Sequence, residues 1–166
     1  MLALLPANAP QTLGAAFKHI YSIDTASVDD LKVMVLVEAA GLTLYAHSAG
    51  GTDHQGVKDL LNANGREEMV HAGRVSKAIK ALTGEAYPPP SAADNPYLQS
   101  DMPPPAPITA ESLKKLADTE FGGDALYSRW AKGFDNPEAI ELLLQNGREE
   151  SDHGNRLLEA AALLDA

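Results

Sequence analysis

One eight-residue segment of this chain occurs twice and constrains the fold more than any other feature. The segment at 64–71 reads NGREEMVH, and the segment at 146–153, which starts 82 residues later, reads NGREESDH. At the same offset Glu38 corresponds to Glu120, and no gap is needed anywhere between residues 31 and 82. Each copy carries a Glu, a Tyr seven residues later, and a Glu-x-x-His sequence that begins thirty residues after the first Glu. The repeat predicts a fold built from two equivalent halves.

The composition is that of a globular domain and excludes several classes of function. Hydrophobic residues make up 45% and charged residues 22% of the 166 residues, which is enough chain for one domain with a core. The formal net charge of −10 repels phosphate backbones and anionic lipid, so we expect neither a nucleic-acid nor a membrane partner. The chain has no cysteine, which excludes disulfides, thiolate metal sites and thiol nucleophiles.

The N-terminal residues lack the features of a targeting signal. The apolar run at 1–5 is short and has no basic residue before it. No apolar stretch approaches the length of a membrane-spanning helix. We therefore expect a cytoplasmic protein.

Helical periodicity and capping residues predict four long helices. Ser27 and Thr109 are N-cap residues, and Asn136 followed by Pro137 is a strong start signal. Apolar residues at helical spacing then extend the predicted helices over about 28–49, 55–82, 109–132 and 137–164. Residues 1–26 are expected to form an arm that packs on this body.

The segment at 84–108 holds eight of the eleven prolines and connects the two halves. At roughly 3 Å per extended residue it can travel the length of a helix and back. A disordered linker between two domains is the alternative, but neither half alone could bury its inner acids. The sequence therefore predicts one all-α domain over 1–166. We expect a four-helix bundle made of two repeated helical hairpins, 28–82 and 109–165, joined by a long proline-rich crossover.

Each predicted helix carries one acid within its apolar face, and the second and fourth helices each add a histidine. An unpaired buried carboxylate is costly unless it is neutralised. Two divalent cations would balance four carboxylates. The sequence therefore predicts that six residues ligate two metal ions: Glu38, Glu68, His71, Glu120, Glu150 and His153.

This ligand pattern resembles the ferritin-like superfamily of di-iron carboxylate proteins, in particular its rubrerythrin and bacterioferritin branches, and the resemblance covers residues 28–165. In such bundles two helices each supply one Glu and the other two each supply Glu-x-x-His. The resemblance implies a ferritin-like fold in which Glu68 and Glu150 bridge both metals. One metal position would be completed from the first half by Glu38 and His71. The other would be completed by the corresponding pair of the second half.

The resemblance also implies roles for residues beside the ligands. Glu67 and Glu149 would orient the ligand histidines, as ligand histidines generally require, although they could equally be solvated acids. Tyr45 and Tyr127 would hydrogen-bond a bridging carboxylate or carry a transient electron, which makes them the candidate catalytic residues. The alternative is that they are core tyrosines whose hydroxyl groups are satisfied.

Four glycines stand three residues from a ligand Glu: Gly41, Gly65, Gly123 and Gly147. They would leave room beside the metals or let the helices approach closely. Met69 follows Glu68 as the haem-ligating methionine does in bacterioferritins, but nothing else indicates a cage, so we expect no haem. Rubrerythrins also carry a cysteine-bound iron domain, which this chain lacks.

The expected cofactor is two iron ions, for which manganese or zinc could substitute. The leading interpretation is a di-iron oxidoreductase that reduces peroxide or O2, oxidises Fe(II) and takes electrons from a separate donor. Two alternatives remain open. The chain could be a subunit of an iron-storage shell, or it could hydroxylate an organic substrate, which a deep apolar pocket at the metals would favour. We expect a homodimer.

Overall fold

The computed structural model describes residues 3–165 and contains five α-helices in that range. They are α1 (Leu13–Ser22), α2 (Val28–Ala49), α3 (Gln55–Thr83), α4 (Ala110–Ala131) and α5 (Pro137–Asp165). Two short 3-10 helices, Ala92–Asp94 and Pro96–Leu98, lie between α3 and α4, and residues 3–165 contain no strand. The prediction of an all-α fold is confirmed for this part of the chain. Met1 and Leu2, which belong to the predicted arm, and Ala166 lie outside the described residues.

The helices begin at the capping residues that the sequence indicates. At the start of α2 the Ser27 hydroxyl accepts from the backbone N–H of Asp30 at 3.2 Å, and the Asp30 carboxylate accepts from the Ser27 N–H at 2.8 Å. The amide oxygen of Asn136 accepts from the N–H of Ala139 at the start of α5. At the end of α3, Gly84 adopts a left-handed conformation with φ of 77° that favours glycine. Within residues 3–165 no helix is both long and apolar enough to cross a membrane.

α2 packs along α3 and α4 along α5, and the two partners of each pair run in opposite directions. Gly41 of α2 lies against Glu68 of α3. Tyr45, which comes later in α2, lies against Gly65, which comes earlier in α3. α3 also packs against α5 and joins the two pairs, whereas the backbones of α2 and α4 lie farther apart. The Glu-x-x-His sequences lie on the two central helices.

Two apolar clusters fill the interior, one toward each end of the helices. One cluster contains Val35, Ile79 and Trp130, and the other contains Leu61 and Leu157. The predicted ligands fall between these clusters along every helix. Buried polar groups therefore form a layer across the middle of the apolar core.

The crossover between α3 and α4 is attached to the helices by hydrogen bonds. Asn95 is fully buried, and its amide nitrogen donates to the Leu36 carbonyl of α2 at 2.8 Å. Its amide oxygen accepts from the N–H of Tyr97 at 3.0 Å. The Tyr97 hydroxyl in turn donates to the Pro10 carbonyl at 2.9 Å, which ties the N-terminal segment to the crossover.

Asn95→Ala should lower the free energy of unfolding by about 1–3 kcal/mol, because the substitution removes two buried hydrogen bonds. Urea unfolding of the two proteins measures this difference. The exposed Asn155→Ala on α5 is the matched control and should change stability by less than about 0.5 kcal/mol. Equal effects of the two substitutions would show that the buried amide does not hold the crossover.

Candidate metal centre

Four buried side chains from the two central helices converge in the polar layer. Glu68 and His71 lie side by side on α3 because they are three residues apart, and Glu150 and His153 do the same on α5. One ligand atom from each residue lies within 4.8 Å of the others, so this group could hold a metal ion. Both histidines are fully buried.

The Nδ1 atom of His71 faces three carboxylates. It lies 3.1 Å from Glu150 Oε1, 3.8 Å from Glu38 Oε2 and 4.0 Å from Glu68 Oε2. Two of these acids come from the same half of the chain as the histidine, and Glu150 comes from the other half.

The Nδ1 atom of His153 has the equivalent surroundings. It lies 3.2 Å from Glu68 Oε1, 3.6 Å from Glu150 Oε2 and 4.0 Å from Glu120 Oε2. The two imidazole rings are stacked with centroids 4.9 Å apart. The structure thus brings all six predicted ligands together, with Glu68 and Glu150 shared between the histidines and one further acid on each outer side.

The other imidazole nitrogens contact acids across the two halves of the chain. His71 Nε2 lies 3.1 Å from Glu149 Oε2, and His153 Nε2 lies 3.1 Å from Glu67 Oε2. Burial alone would raise the pKa of Glu67 and of Glu149, but hydrogen bonds and charge from Arg156 and Arg74 respectively hold both pKa values below the ordinary range. An ionised carboxylate only accepts, so each Nε2 donates its proton.

This arrangement leaves a lone pair on each Nδ1 that points into the acid cluster. Among residues 3–165, the Nδ1 atoms of His71 and His153 are buried without a hydrogen-bond partner. Burial and the neighbouring His71 lower the pKa of His153 to about 4, so this imidazole is neutral at physiological pH. A neutral imidazole fixed through its other nitrogen is the usual form of a metal-binding histidine. Glu67 and Glu149 therefore contact the histidines rather than solvent alone.

Arginine and asparagine side chains, for which the sequence predicted no role, hold Glu67 and Glu149 in place. Arg156 donates to Glu67 at 2.7 and 2.9 Å and to the Asn64 amide oxygen at 3.0 Å. The Asn64 amide nitrogen donates to the backbone carbonyl of His153 at 3.2 Å. Arg74 and Asn146 make the equivalent contacts in the other half. Their recurrence at the 82-residue offset was the available signal.

The two tyrosines bind the outer acids, in contrast to the implied contact with a bridging carboxylate. The Tyr45 hydroxyl donates to Glu120 Oε1 at 2.5 Å, and the Tyr127 hydroxyl donates to Glu38. Each bond again joins opposite halves of the chain. Burial, followed by the charge of the acid that each phenol faces, raises both tyrosine pKa values, so the phenols stay protonated as donors. A role in electron transfer stays a prediction.

Burial also acts strongly on the shared acids. It raises the pKa of Glu68 and of Glu150 well above the ordinary value, and the charge of neighbouring Glu38 adds to both shifts. The pKa of Glu120 is raised as well, mainly by burial. Burial therefore favours the protonated form of these carboxyl groups, and a bound cation would take the place of the protons, which fits the donor set of a metal centre.

Two glycines make room for the shared acids. A Cβ atom at Gly41 would lie 2.6 Å from Glu68 Cγ, and one at Gly123 would lie 2.6 Å from Glu150 Cγ. Gly65 has a different role, since a Cβ there would lie 2.9 Å from Tyr45 Cβ. Gly41 and Gly123 thus accommodate the shared acids, and Gly65 permits close packing of α2 on α3. Room beside bound metals stays a prediction.

A pocket of about 560 Å³ opens on the carboxylate side of the centre. It lies between α2 and α4, and α1 forms one of its walls. All four glutamates contribute to its lining, whereas the histidines lie behind them. The centre therefore faces a space that a molecule can enter.

Comparisons with known proteins found no match to this chain. The chain matches no protein-family model, no curated protein and no solved structure.

Glu68→Gln should stabilise the metal-free protein relative to the unchanged chain, and the difference should grow as pH rises above the ordinary titration range of a glutamate. The raised pKa means that the folded protein binds more protons than the unfolded chain in this pH range, so ionisation of Glu68 destabilises the fold as pH rises. Glutamine remains neutral.

Thermal unfolding in the presence of a chelator measures this difference, with the exposed Glu159→Gln as the matched control. The buried substitution should change the pH dependence of stability more than this exposed one does. A Glu68→Gln difference that is flat or shrinks with rising pH would contradict the buried, protonated acid.

Gly41→Ala should lower the free energy of unfolding by about 1–3 kcal/mol, because the new methyl group overlaps the Glu68 side chain. Gly73→Ala on α3 is the matched control, since a Cβ there meets nothing within 4 Å. The control should raise stability by about 0.5–1 kcal/mol through helix propensity. Urea unfolding of both variants tests the close approach, and a stabilised Gly41→Ala would count against it.

Proposed function

We propose that this chain is a ferritin-like dinuclear-metal protein. In this proposal α2–α5 form a four-helix bundle of two hairpins, and the six residues of the polar layer hold two metal ions. The observation that carries it is the pair of buried Nδ1 atoms, on His71 and His153, which face shared carboxylates without a hydrogen-bond partner among the described residues. Carboxylates that accept the Nε2 proton already occupy the opposite side of each imidazole, so the Nδ1 side is suited to a cation.

The donor set and its charge favour iron or manganese, for which zinc could substitute. Carboxylate oxygens and imidazole nitrogens without thiolates suit these metals. Four carboxylates balance two divalent cations, which would offset the burial and the mutual repulsion that raise the pKa of Glu68 and of Glu150. Glu38 with His71 would hold one ion and Glu120 with His153 the other, while the shared acids contact both.

We further propose that the protein is an oxidoreductase that reduces peroxide or O2 and oxidises Fe(II). Two bound iron(II) ions would supply two electrons, which together with two protons reduce H2O2 to two molecules of water. The chain's own groups support this role. Tyr45 and Tyr127 hold the outer acids as neutral donors, and Glu67 and Glu149 fix the imidazoles. An external donor would restore the electrons.

Anaerobic titration of metal-free protein with iron(II), followed by exposure to O2 or peroxide, tests the proposal. We expect saturation at about two equivalents per chain and oxidation of the bound iron. Simultaneous His71→Ala and His153→Ala substitutions should abolish tight binding, whereas substitution of the exposed His54 to Ala should leave it unchanged. Saturation at one equivalent, or none, would falsify the dinuclear proposal.

A second candidate function is oxidation of an organic substrate at the same centre. The pocket of about 560 Å³ beside the carboxylates favours it, because O2 and peroxide need much less space. Iron storage, the remaining alternative, needs a large hollow shell of subunits. Size-exclusion chromatography with light scattering separates these possibilities, because the expected homodimer would exclude storage.

A further inference from the structure

The pocket beside the carboxylates has the size and the walls of an organic-ligand site. Its volume of about 560 Å³ lies within the range of roughly 300–1,000 Å³ found for sites that hold drug-sized molecules. Apolar side chains from three helices form the walls, among them Ile20 of α1, Met34 and Val37 of α2, and Leu116 and Leu126 of α4. Such walls favour the apolar part of a ligand over water.

Charge is distributed unevenly along the pocket. The inner end of the pocket is lined by four acids, Glu38, Glu68, Glu120 and Glu150. Glu68 is the only lining residue from α3, and Glu150 is the only one from α5. Among the described residues that line the pocket, Lys18 is the only basic one, and it lies on α1 with its side chain exposed to solvent. The Lys18 ammonium has no acidic partner within residues 3–165.

The α1 helix completes the outer wall of the pocket. It packs on α2, and the Tyr21 hydroxyl reaches across to the Thr119 carbonyl of α4 at 3.4 Å. Phe17 and Tyr21 remain 37% and 39% exposed at this end, next to Lys18. An apolar opening beside one unpaired cation favours a ligand that combines an apolar body with an anionic group.

We propose that this pocket binds an elongated apolar organic molecule with a single anionic group, which lies at Lys18 while the apolar end reaches the four carboxylates. The orientation follows from charge, because the outer lysine attracts an anion, whereas the inner carboxyl groups, whether protonated or balanced by cations, leave no net positive charge at that end. This ligand would be the organic substrate of the second candidate function, and its oxidation rests on that proposal. Binding of the ligand depends only on the pocket walls and Lys18.

Calorimetric titration with linear saturated carboxylates of about six to twelve carbons tests binding, with the matched alcohols as neutral probes. Metal-free and zinc-loaded protein should both bind a carboxylate of this series. Lys18→Ala should weaken carboxylate binding by about two- to five-fold and leave alcohol binding unchanged. Lys77→Ala, which removes an exposed lysine outside the pocket, is the matched control and should alter neither.

A second pair of variants tests the pocket walls without touching any charge. Leu116→Trp should weaken the carboxylate and the alcohol alike, by about tenfold, because the indole fills part of the pocket. Leu158→Trp places the same residue at an exposed position outside the pocket and should leave both affinities unchanged. Equal binding by the two tryptophan variants would overturn the assignment of the ligand to this pocket.

Orientation is measured in manganese-loaded protein by the relaxation of ligand protons. The terminal methyl protons should relax faster than those next to the carboxylate, because the apolar end lies nearer the metals. Faster relaxation of the protons next to the carboxylate would place the anion on the metals and overturn the proposal. Carboxylate binding that requires metal and is unaffected by Lys18→Ala would do the same. Absence of binding across the whole series would also overturn it. Failure to load metal, with carboxylate binding intact in the metal-free protein, would instead count against the proposed metal centre.

Discussion

Four carboxylates share one layer at the middle of an all-helical core, and this layer has apolar clusters on both sides. Burial raises the pKa of Glu68 and of Glu150, because the ionised forms lose their hydration and repel one another. The layer therefore holds either protons or cations. The other features of the interior accommodate these acids: glycines on α2 and α4 provide their space, phenols hold the outer pair, and imidazoles lie behind the shared pair.

The contacts around this layer cross between the two halves of the chain. His71 is fixed by Glu149, and His153 by Glu67. The arginine, asparagine and tyrosine contacts cross in the same way. Each half thus supplies one histidine of the polar layer, together with the groups that orient the histidine of the other half. Neither half alone contains a complete centre, which explains why the crossover must return the chain to the same core.

The four long helices and the convergence of the six residues of the polar layer could be predicted from the sequence because their signals are local or repeated. Capping at Ser27 and Asn136 defines helix starts, and the 82-residue offset marks Glu68 and Glu150 as equivalents. The acceptors of the tyrosines could not be predicted, since they depend on which helix of the opposite half lies nearby. The pocket was equally hidden, because it arises from the separation of α2 and α4 and from the position of α1.

The central claim is that the polar layer holds two metal ions through the Nδ1 atoms of His71 and His153. An anomalous-scattering crystal structure of the manganese- or iron-loaded protein tests it most directly. The account predicts two peaks per chain, each beside one of these Nδ1 atoms, with Glu68 and Glu150 contacting both. A single peak, ligation through Nε2, or metal bound only outside this layer would contradict it.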